Sequence, residues 1–190
     1  MVRSVLLIAL SFHCTAQSQT ATDSITVTGT RVERPTMDVP AAIDRVEAED
    51  IRFARPRVNL SESLGRVPGI VVQNRQNYAQ DLQITSRGFG ARASFGVRGL
   101  RLITDGIPAS FPDGQGQVSH FDLGSAQSIE VLRGPFSVMY GNASGGVINL
   151  ITESGAEVNG AGADLMFGSY RTTRAGFKLG GKAGKNIMKT

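Results

Sequence analysis

IEVLRGPFSVMYGNASGGVIN, residues 129–149, places two apolar runs on either side of a segment that begins with proline and ends with glycine. The runs predict strands at residues 128–132 and 147–152. Because proline favours the first turn of a helix and glycine its end, Pro135 and Gly141 predict a short helix between the strands. This stretch therefore predicts a strand–helix–strand unit.

The neighbouring sequence extends this unit into a small α+β domain that starts near Ile43. Three further apolar runs predict strands, at residues 70–73, 82–87 and 100–104. Residues 47–51 predict the acidic start of a helix. Asn59 is expected to cap a second helix, because Glu62 follows three residues later and Leu64 continues the apolar spacing. The expected fold is a small mixed sheet with two or three helices.

The last part of the chain, residues 160–182, alternates apolar and polar side chains around a bend at residues 168–170. This alternation predicts a β-hairpin. We expect the chain to end at residues 186–190 without a partner strand for it. Because a lone hairpin is marginal in water, the segment is expected to be the first piece of a larger sheet.

The composition fits one folded domain, with 190 residues, 41% of them hydrophobic, and a single cysteine. One cysteine excludes a disulfide framework and a CxxC zinc site. The charge is uneven, because residues 1–157 carry 14 basic and 15 acidic side chains, whereas residues 158–190 carry six basic ones and Asp164. A basic tail that also contains aromatic side chains leaves nucleic-acid binding as the least favoured alternative, and we expect no nucleic-acid partner.

The N-terminus has the parts of an export signal. Arg3 supplies the positive charge, residues 5–12 the apolar run, and residues 14–16 a small-x-small cleavage site. Residues 1–16 are therefore the predicted signal peptide, and the mature chain is expected to begin at Gln17.

Three long loops separate the predicted strands: loop 1 (residues 74–81), loop 2 (88–99) and loop 3 (105–117). They combine aromatic rings with arginine, asparagine, glutamine and aspartate side chains. Loops this long are usually functional or disordered, and this mixture suits a polar, planar ligand.

No motif supports catalysis or a metal centre. Residues 88–93 match G-x-G-x-x-A, but Gly96 and Gly99 interrupt the helix that a dinucleotide site requires. Residues 113–116 resemble a calcium loop only in one aspartate and its glycines. No pair of carboxylates has the pattern of a general acid and base. We expect no enzyme, no catalytic residue, no metal site and no cofactor.

Residues 129–135 and 139–149 together resemble the plug-domain signature of TonB-dependent outer-membrane receptors. Further motifs of that family follow the same order, at residues 64–71, 87–89 and 105–108. The extended N-terminal segment is similar to the family's TonB box and comprises Asp23, Ser24, Ile25, Thr26, Val27, Thr28 and Gly29.

A branch of the family looks more similar still. Residues 59–64, 72–83 and 112–117 resemble the branch that includes the pyrroloquinoline quinone receptor. Ferric citrate and other siderophore receptors share the general plug but look less similar in these loops.

The resemblance implies an outer-membrane β-barrel whose lumen is closed by the plug, with a scarce ligand, a ferric chelate or a quinone cofactor, bound on the outward loops. The TonB energy-coupling protein would pair with the TonB box by β-augmentation and drive uptake. Ligand contacts carried over by position are Arg75, Asn77, Tyr78, Arg92, Phe95, Phe111, Asp113, Gln115 and Gln117. Arg87 and Arg133 match plug arginines that pair with barrel carboxylates in the family.

The implied domains are a signal peptide (1–16), a mobile segment with the TonB box (17–42), a plug (43–153) and the start of a β-barrel (154–190). Most of the barrel is missing, so we expect a truncated receptor. Only six residues, 17–22, precede Asp23 in the expected mature chain, so uptake without a signalling domain is expected. A free-standing periplasmic ligand-binding module and a non-functional truncated receptor remain alternatives.

Overall fold

The structure, a computed structural model, describes residues 26–27, 32, 34–35, 38–53, 55–77, 80–94, 96–155, 158, 160–183 and 186–189. Within these residues the chain forms five small sheets and three short helices. The strands are β1 (Thr26–Val27), β2 (Arg34–Pro35), β3 (Ala42–Glu47), β4 (Ile70–Gln73), β5 (Gln83–Ser86), β6 (Val97–Arg98), β7 (Leu100–Thr104), β8 (Ile107–Pro108), β9 (Gln115–Gly116), β10 (Ala126–Arg133), β11 (Gly146–Thr152), β12 (Gly160–Phe167), β13 (Thr173–Ala183) and β14 (Asn186–Lys189). The helices are α1 (Ala48–Arg52), α2 (Ser61–Leu64) and α3 (Ser137–Tyr140).

The largest sheet has five strands in the order β3-β10-β11-β7-β8. β10 lies between β3 and β11 and is antiparallel to both, whereas β11 and β7 are parallel. β10 is buried on both faces although half of its residues are polar, and Ser128 and Glu130 within it are fully buried. The predicted strand–helix–strand unit corresponds to β10, α3 and β11, and the expected mixed sheet with few helices is confirmed.

Apolar clusters cover both faces of this sheet, because successive side chains of a strand point to opposite sides. The larger cluster joins the sheet to α1 and α2 and includes Ile51, Leu64, Leu102, Ile129 and Ile148. The smaller cluster lies on the other face and includes Ile43, Ile103, Leu132 and Val147, with Tyr140 of α3 packed against it. Among the described residues, no helix is long and apolar enough to span a membrane.

Helix α2 begins differently from the sequence prediction. Its N-terminal cap is Leu60 and no side chain caps it, so the prediction that Asn59 caps this helix is wrong. Instead, the Glu62 carboxylate accepts the backbone N–H groups of Arg57, Val58 and Asn59 at 2.7, 3.0 and 3.0 Å. In a capping box, the N-cap side chain and the glutamate three residues later each accept a backbone N–H group. Here only Glu62 does so, because the chain before the helix wraps around its carboxylate.

Loops 2 and 3 are more regular than predicted. β6 and β9 pair antiparallel, and β8 pairs with β7, although all three short strands lie in or at the edge of segments expected to be loops. Each spans two residues, which is too short to produce a recognisable hydrophobic period.

The predicted hairpin is formed by β12 and β13, with Leu165 opposite Ala175. The expectation that residues 186–190 provide no partner strand is wrong, because β14 pairs with β13 along residues 186–189. One face of β12 and β13 exposes large apolar side chains, namely Leu165, Phe167, Phe177 and Leu179.

The opposite face of the hairpin carries charged side chains that contact the five-stranded domain. Asp164 forms an ion pair with Arg57. Arg174 donates from Nη1 to the carbonyl oxygens of Pro56 and Arg57, at 2.6 Å each. Lys178 donates to the Glu153 carboxylate at 2.7 Å. The hairpin is thus apolar outside and charged inside.

Candidate ligand-binding surface

Loops 2 and 3 form one continuous surface. The pairing of β6 with β9 sets Val97 opposite Gly116 and Arg98 opposite Gln115. The Arg98 guanidinium also lies 3.6 Å from the Asp113 carboxylate, and both side chains are more than half exposed. The structure therefore brings the predicted contacts Asp113 and Gln115 together beside Arg98, with Gln115 on β9 and Asp113 in the turn before it.

The tip of loop 3 is a tight, hydrogen-bonded turn. The Phe111 N–H donates to the carbonyl of Gln115 at 2.7 Å, and the Gly114 N–H donates to the carbonyl of Phe111 at 2.9 Å. The Asp113 carboxylate accepts the Gln115 N–H at 3.1 Å. Gly114 has a φ of 82° and packs against Asn142, so a side chain there would meet both backbone strain and a collision. These contacts fix the backbone from which the exposed ring of Phe111 projects, and the hydrogen bond from the Gln115 N–H restrains the Asp113 carboxylate.

Loop 1 is connected to loop 2 through strand β5. The Gln83 side-chain amide donates to the carbonyls of Ala91 and Ala93 at 2.9 and 3.2 Å. Within loop 1, Arg75 donates to the Gln80 side chain at 3.3 Å. Gln83, on β5 two residues after loop 1, thus holds loop 2 in place at Ala91 and Ala93.

The predicted ligand contacts differ in how the structure places them. Arg75, Asn77, Arg92, Phe111, Asp113 and Gln117 are exposed on the loops, and Gln115 is half-buried. Tyr78 and Phe95 lie outside the described residues. Sequence reasoning missed Arg98, Gln83 and Asn142, whose roles depend on pairings between segments that leave no local pattern.

The loops carry three arginines, Arg75, Arg92 and Arg98, and three aspartates, Asp81, Asp105 and Asp113. Asp105 accepts hydrogen bonds from Thr152 and Asp113 accepts one from the Gln115 N–H, whereas the Arg75 and Arg92 side chains are exposed. Within the described parts of the chain, no group of three or more His, Cys, Asp or Glu side chains could hold a metal ion. The surface is suited to binding an anion through arginine.

The two arginines predicted to hold the plug lie on either side of Gly69. Arg133 donates a hydrogen bond to the carbonyl of Pro68 at 2.9 Å. Its guanidinium also lies 2.6 Å from the Asp44 carboxylate, an ion pair whose angles do not make a hydrogen bond. The Arg87 backbone N–H donates to the carbonyl of Gly69 at 3.0 Å, and its side chain is close to the same glycine. The structure therefore brings Arg87 and Arg133 together, and pairing with barrel carboxylates stays a prediction.

Of the predicted TonB box, the structure describes Thr26 and Val27, which form strand β1 and pair with Pro35 and Arg34. The other residues of the box, and the signal peptide, lie outside the described residues. The extended conformation at Thr26–Val27 agrees with the alternation seen in the sequence.

These features define a class of protein: an α+β domain with long surface loops, attached to a hairpin that is apolar on its outer face and charged towards the domain. The family model described as TonB-dependent Receptor Plug Domain matches residues 35–147. The chain belongs to this family.

Individual relatives agree with this assignment. The chain is 30% identical over 195 residues to the vitamin B12 transporter BtuB of Vibrio vulnificus, a match that covers 95% of the chain and 31% of that protein. It is 31% identical over 185 residues to the BtuB of Photobacterium profundum, covering 88% of the chain and 28% of that protein. The chain therefore spans less than a third of the length of these relatives.

Solved receptors share the fold. The ferric yersiniabactin uptake receptor FyuA of Yersinia pestis has a TM-score of 0.57 at 27% identity, over 76% of this chain and 22% of that one. The pyoverdine receptor FpvA of Pseudomonas aeruginosa PAO1 has a TM-score of 0.64 at 21% identity, over 84% of this chain and 22% of that one, and supports the fold alone. The predictions of a TonB-dependent receptor family, an outer-membrane location and a protein that is not an enzyme are confirmed.

Proposed function

We propose that this chain is the plug of an outer-membrane receptor that takes up a scarce organic anion, a quinone cofactor or a ferric chelate, with energy supplied through TonB. The observation that carries the proposal is the joined surface of loops 2 and 3, where Arg98 lies beside the turn around Asp113 and loop 2 also exposes Arg92. Arginine binds carboxylates through paired, charge-assisted hydrogen bonds, and exposed aromatic rings such as Phe111 can stack on a planar ligand.

The ligand class follows from charge. The loops carry three arginines and three aspartates, but Asp105 and Asp113 already accept hydrogen bonds within the chain, so the exposed arginines favour a ligand with carboxylate groups over a neutral one. The names of the relatives cover vitamin B12, ferric yersiniabactin and pyoverdine, so ligand chemistry varies among these proteins. The similarity of loops 1 and 3 to the pyrroloquinoline quinone branch makes that cofactor the first ligand to test.

Coupling to TonB would use the edge of β1. Thr26 and Val27 are extended and pair with β2 on one side, in a sheet of two strands. The second edge of such a strand offers backbone groups to an added strand. We infer that the TonB protein pairs there and that the pull reaches the plug through β3, which Asp44 joins to Arg133 of β10.

Calorimetry tests the ligand surface. The 190-residue chain would be titrated with pyrroloquinoline quinone, ferric citrate and vitamin B12, and the titrations repeated with Arg92→Gln. Loss of one charge-assisted contact should weaken binding of the anionic ligand about tenfold or more. The control is Arg66→Gln, because Arg66 pairs with Asp50 away from the loops.

The outcomes separate the alternatives. Binding of an anionic ligand that Arg92→Gln weakens and Arg66→Gln does not would support the proposal. Equal binding by all three proteins would refute the assignment of the loops. Binding without any uptake by cells that carry the receptor would favour a free-standing periplasmic module.

A further inference from the structure

A pocket of about 460 Å³ lies on the face of the five-stranded sheet that carries the smaller apolar cluster. Arg101 and Ile103 of β7 and Asn149 and Ile151 of β11 contribute to its lining, with Tyr140 of α3 and Pro108 of β8. β7 and β11 are parallel, with Ile103 beside Asn149 and Arg101 beside Val147, so these side chains share one face. The volume is in the range of small-ligand sites.

Two polar groups in this pocket lack partners. Within the described part of the chain, the Arg101 guanidinium has no hydrogen-bond or ion-pair partner. The buried Oδ1 atom of Asn149 also has no hydrogen-bond partner. Asp105, the carboxylate at the rim, is already used, because its oxygens accept the backbone N–H and the hydroxyl of Thr152 at 2.8 Å each. A buried polar atom left unpaired is costly, so Asn149 Oδ1 favours a ligand that brings a donor, and the half-buried Arg101 in the same pocket adds a cation for an anionic group.

We propose that this pocket is a second ligand site for a small planar organic anion that carries an O–H or N–H donor next to its carboxylate. The carboxylate would accept from Arg101, the adjacent donor would bind Asn149 Oδ1, and the ring would lie against Ile103, Ile151 and Pro108. Such a ligand would pair with both unpaired groups at once, and its ring would contact the apolar walls of the pocket.

The pocket is connected to the candidate ligand-binding surface by loop 3. The segment that lines it at Asp105, Gly106 and Pro108 continues to Ser110, whose hydroxyl accepts the Leu102 N–H at 2.9 Å, and then to the turn at Phe111. A ligand leaving the outward loops would therefore meet this pocket along the same loop. That order of events rests on the proposed function, whereas the binding chemistry of the pocket does not.

The test titrates the 190-residue chain with 2,3-dihydroxybenzoate, a planar carboxylate with an adjacent hydroxyl, and with the uncharged catechol. We expect saturable binding of the benzoate and binding of catechol weaker by about tenfold or more, since catechol lacks the charge that Arg101 recognises. Arg101→Gln should weaken binding of the benzoate by a similar factor, whereas Arg66→Gln should leave its affinity unchanged. Thermal unfolding of each variant shows whether the fold is intact.

Equal affinity of Arg101→Gln and the native chain, or no binding of the benzoate, would overturn the second site. If Arg101→Gln does not fold, the comparison of benzoate with catechol on the native chain decides, and equal binding of the two overturns the site. The proposed function is tested separately, by the Arg92→Gln titrations and by measuring uptake. The two conclusions can therefore be refuted independently.

Discussion

Glu153, which follows β11, connects three parts of the molecule, and replacing it should loosen the hairpin from the plug. Its carboxylate forms an ion pair with Arg52 of α1 and accepts a hydrogen bond from Lys178 of β13 at 2.7 Å. The Glu153 side chain is 18% exposed, against 28% for Arg52 and 29% for Lys178. Glu153→Gln keeps the size of the side chain but removes the charge that both cations face.

The expected cost follows from this partial burial. Hydrogen bonds to charged groups contribute about 1.5–3 kcal/mol, and fully exposed ion pairs much less. Solvent reaches all three side chains and the glutamine oxygen can still accept one hydrogen bond, so we expect a loss of about 1–2 kcal/mol. For a chain of this size that loss lowers the melting temperature by about 3–6 °C.

Thermal unfolding of the 190-residue chain measures the effect, with Glu49→Gln as the control on an exposed glutamate of α1. The double variant Glu153→Gln/Lys178→Met should lose less stability than the two single changes added together, because they remove the same interaction. Strict additivity, or a Glu153→Gln shift no larger than that of the control, would refute the bridging role of Glu153.

The effect also has a predicted pH dependence. Partial burial raises the pKa of Glu153, but hydrogen bonds from Lys178 and Arg52 and their positive charges outweigh it and hold the pKa below the usual value of 4.5. Because the pKa of the folded state is depressed, the stabilisation is complete above pH 4.5 and is lost as the pH falls through the lower pKa of the folded state. The difference in stability between the native chain and Glu153→Gln should therefore shrink on acidification below pH 4.5.

Two further predictions concern the backbone. Val27→Pro removes a backbone donor from β1 and should abolish uptake while leaving ligand affinity unchanged, whereas Val27→Ala should preserve both. Uptake by the proline variant would count against TonB pairing at β1. Gly146 has a φ of 131° and a Cβ there would overlap the Leu132 carbonyl oxygen, so Gly146→Ala should cost about 3–5 kcal/mol in denaturant unfolding. Gly141 has a φ of 73° and open space around it, so Gly141→Ala should lower the stability by only about 1–2 kcal/mol. Equal losses of stability at both glycines would contradict the steric argument.

The strands that could be predicted are those whose own sequence is apolar. Residues 70–73 and 100–104 were predicted as strands and coincide with β4 and β7. β3 was not predicted, because AIDRVE contains three charged side chains. It becomes a strand through pairing with β10, where Asp44 meets Arg133, a contact between residues far apart in the chain.

In the candidate site, too, features marked by local sequence could be predicted, and features set by pairing between segments could not. The loops that carry the predicted contacts could be located from their composition, since glycine, polar and aromatic residues interrupt the apolar runs. Arg98 could not be identified, because its position beside Asp113 depends on the two-residue pairing of β6 with β9. The unpaired Arg101 and Asn149 likewise share a pocket only because β7 and β11 are parallel neighbours.

Two of the six basic residues of the tail, Arg174 and Lys178, are explained by the two faces of the hairpin. Nucleic-acid binding requires cations and stacking aromatic rings on one surface. In the hairpin, Phe167 and Phe177 are on the exposed outer face, whereas Arg174 and Lys178 point inward. Their charges are directed at backbone carbonyls and at Glu153 of the plug. The two strands therefore separate rings from cations, and they do not present the mixed surface that nucleic-acid binding requires.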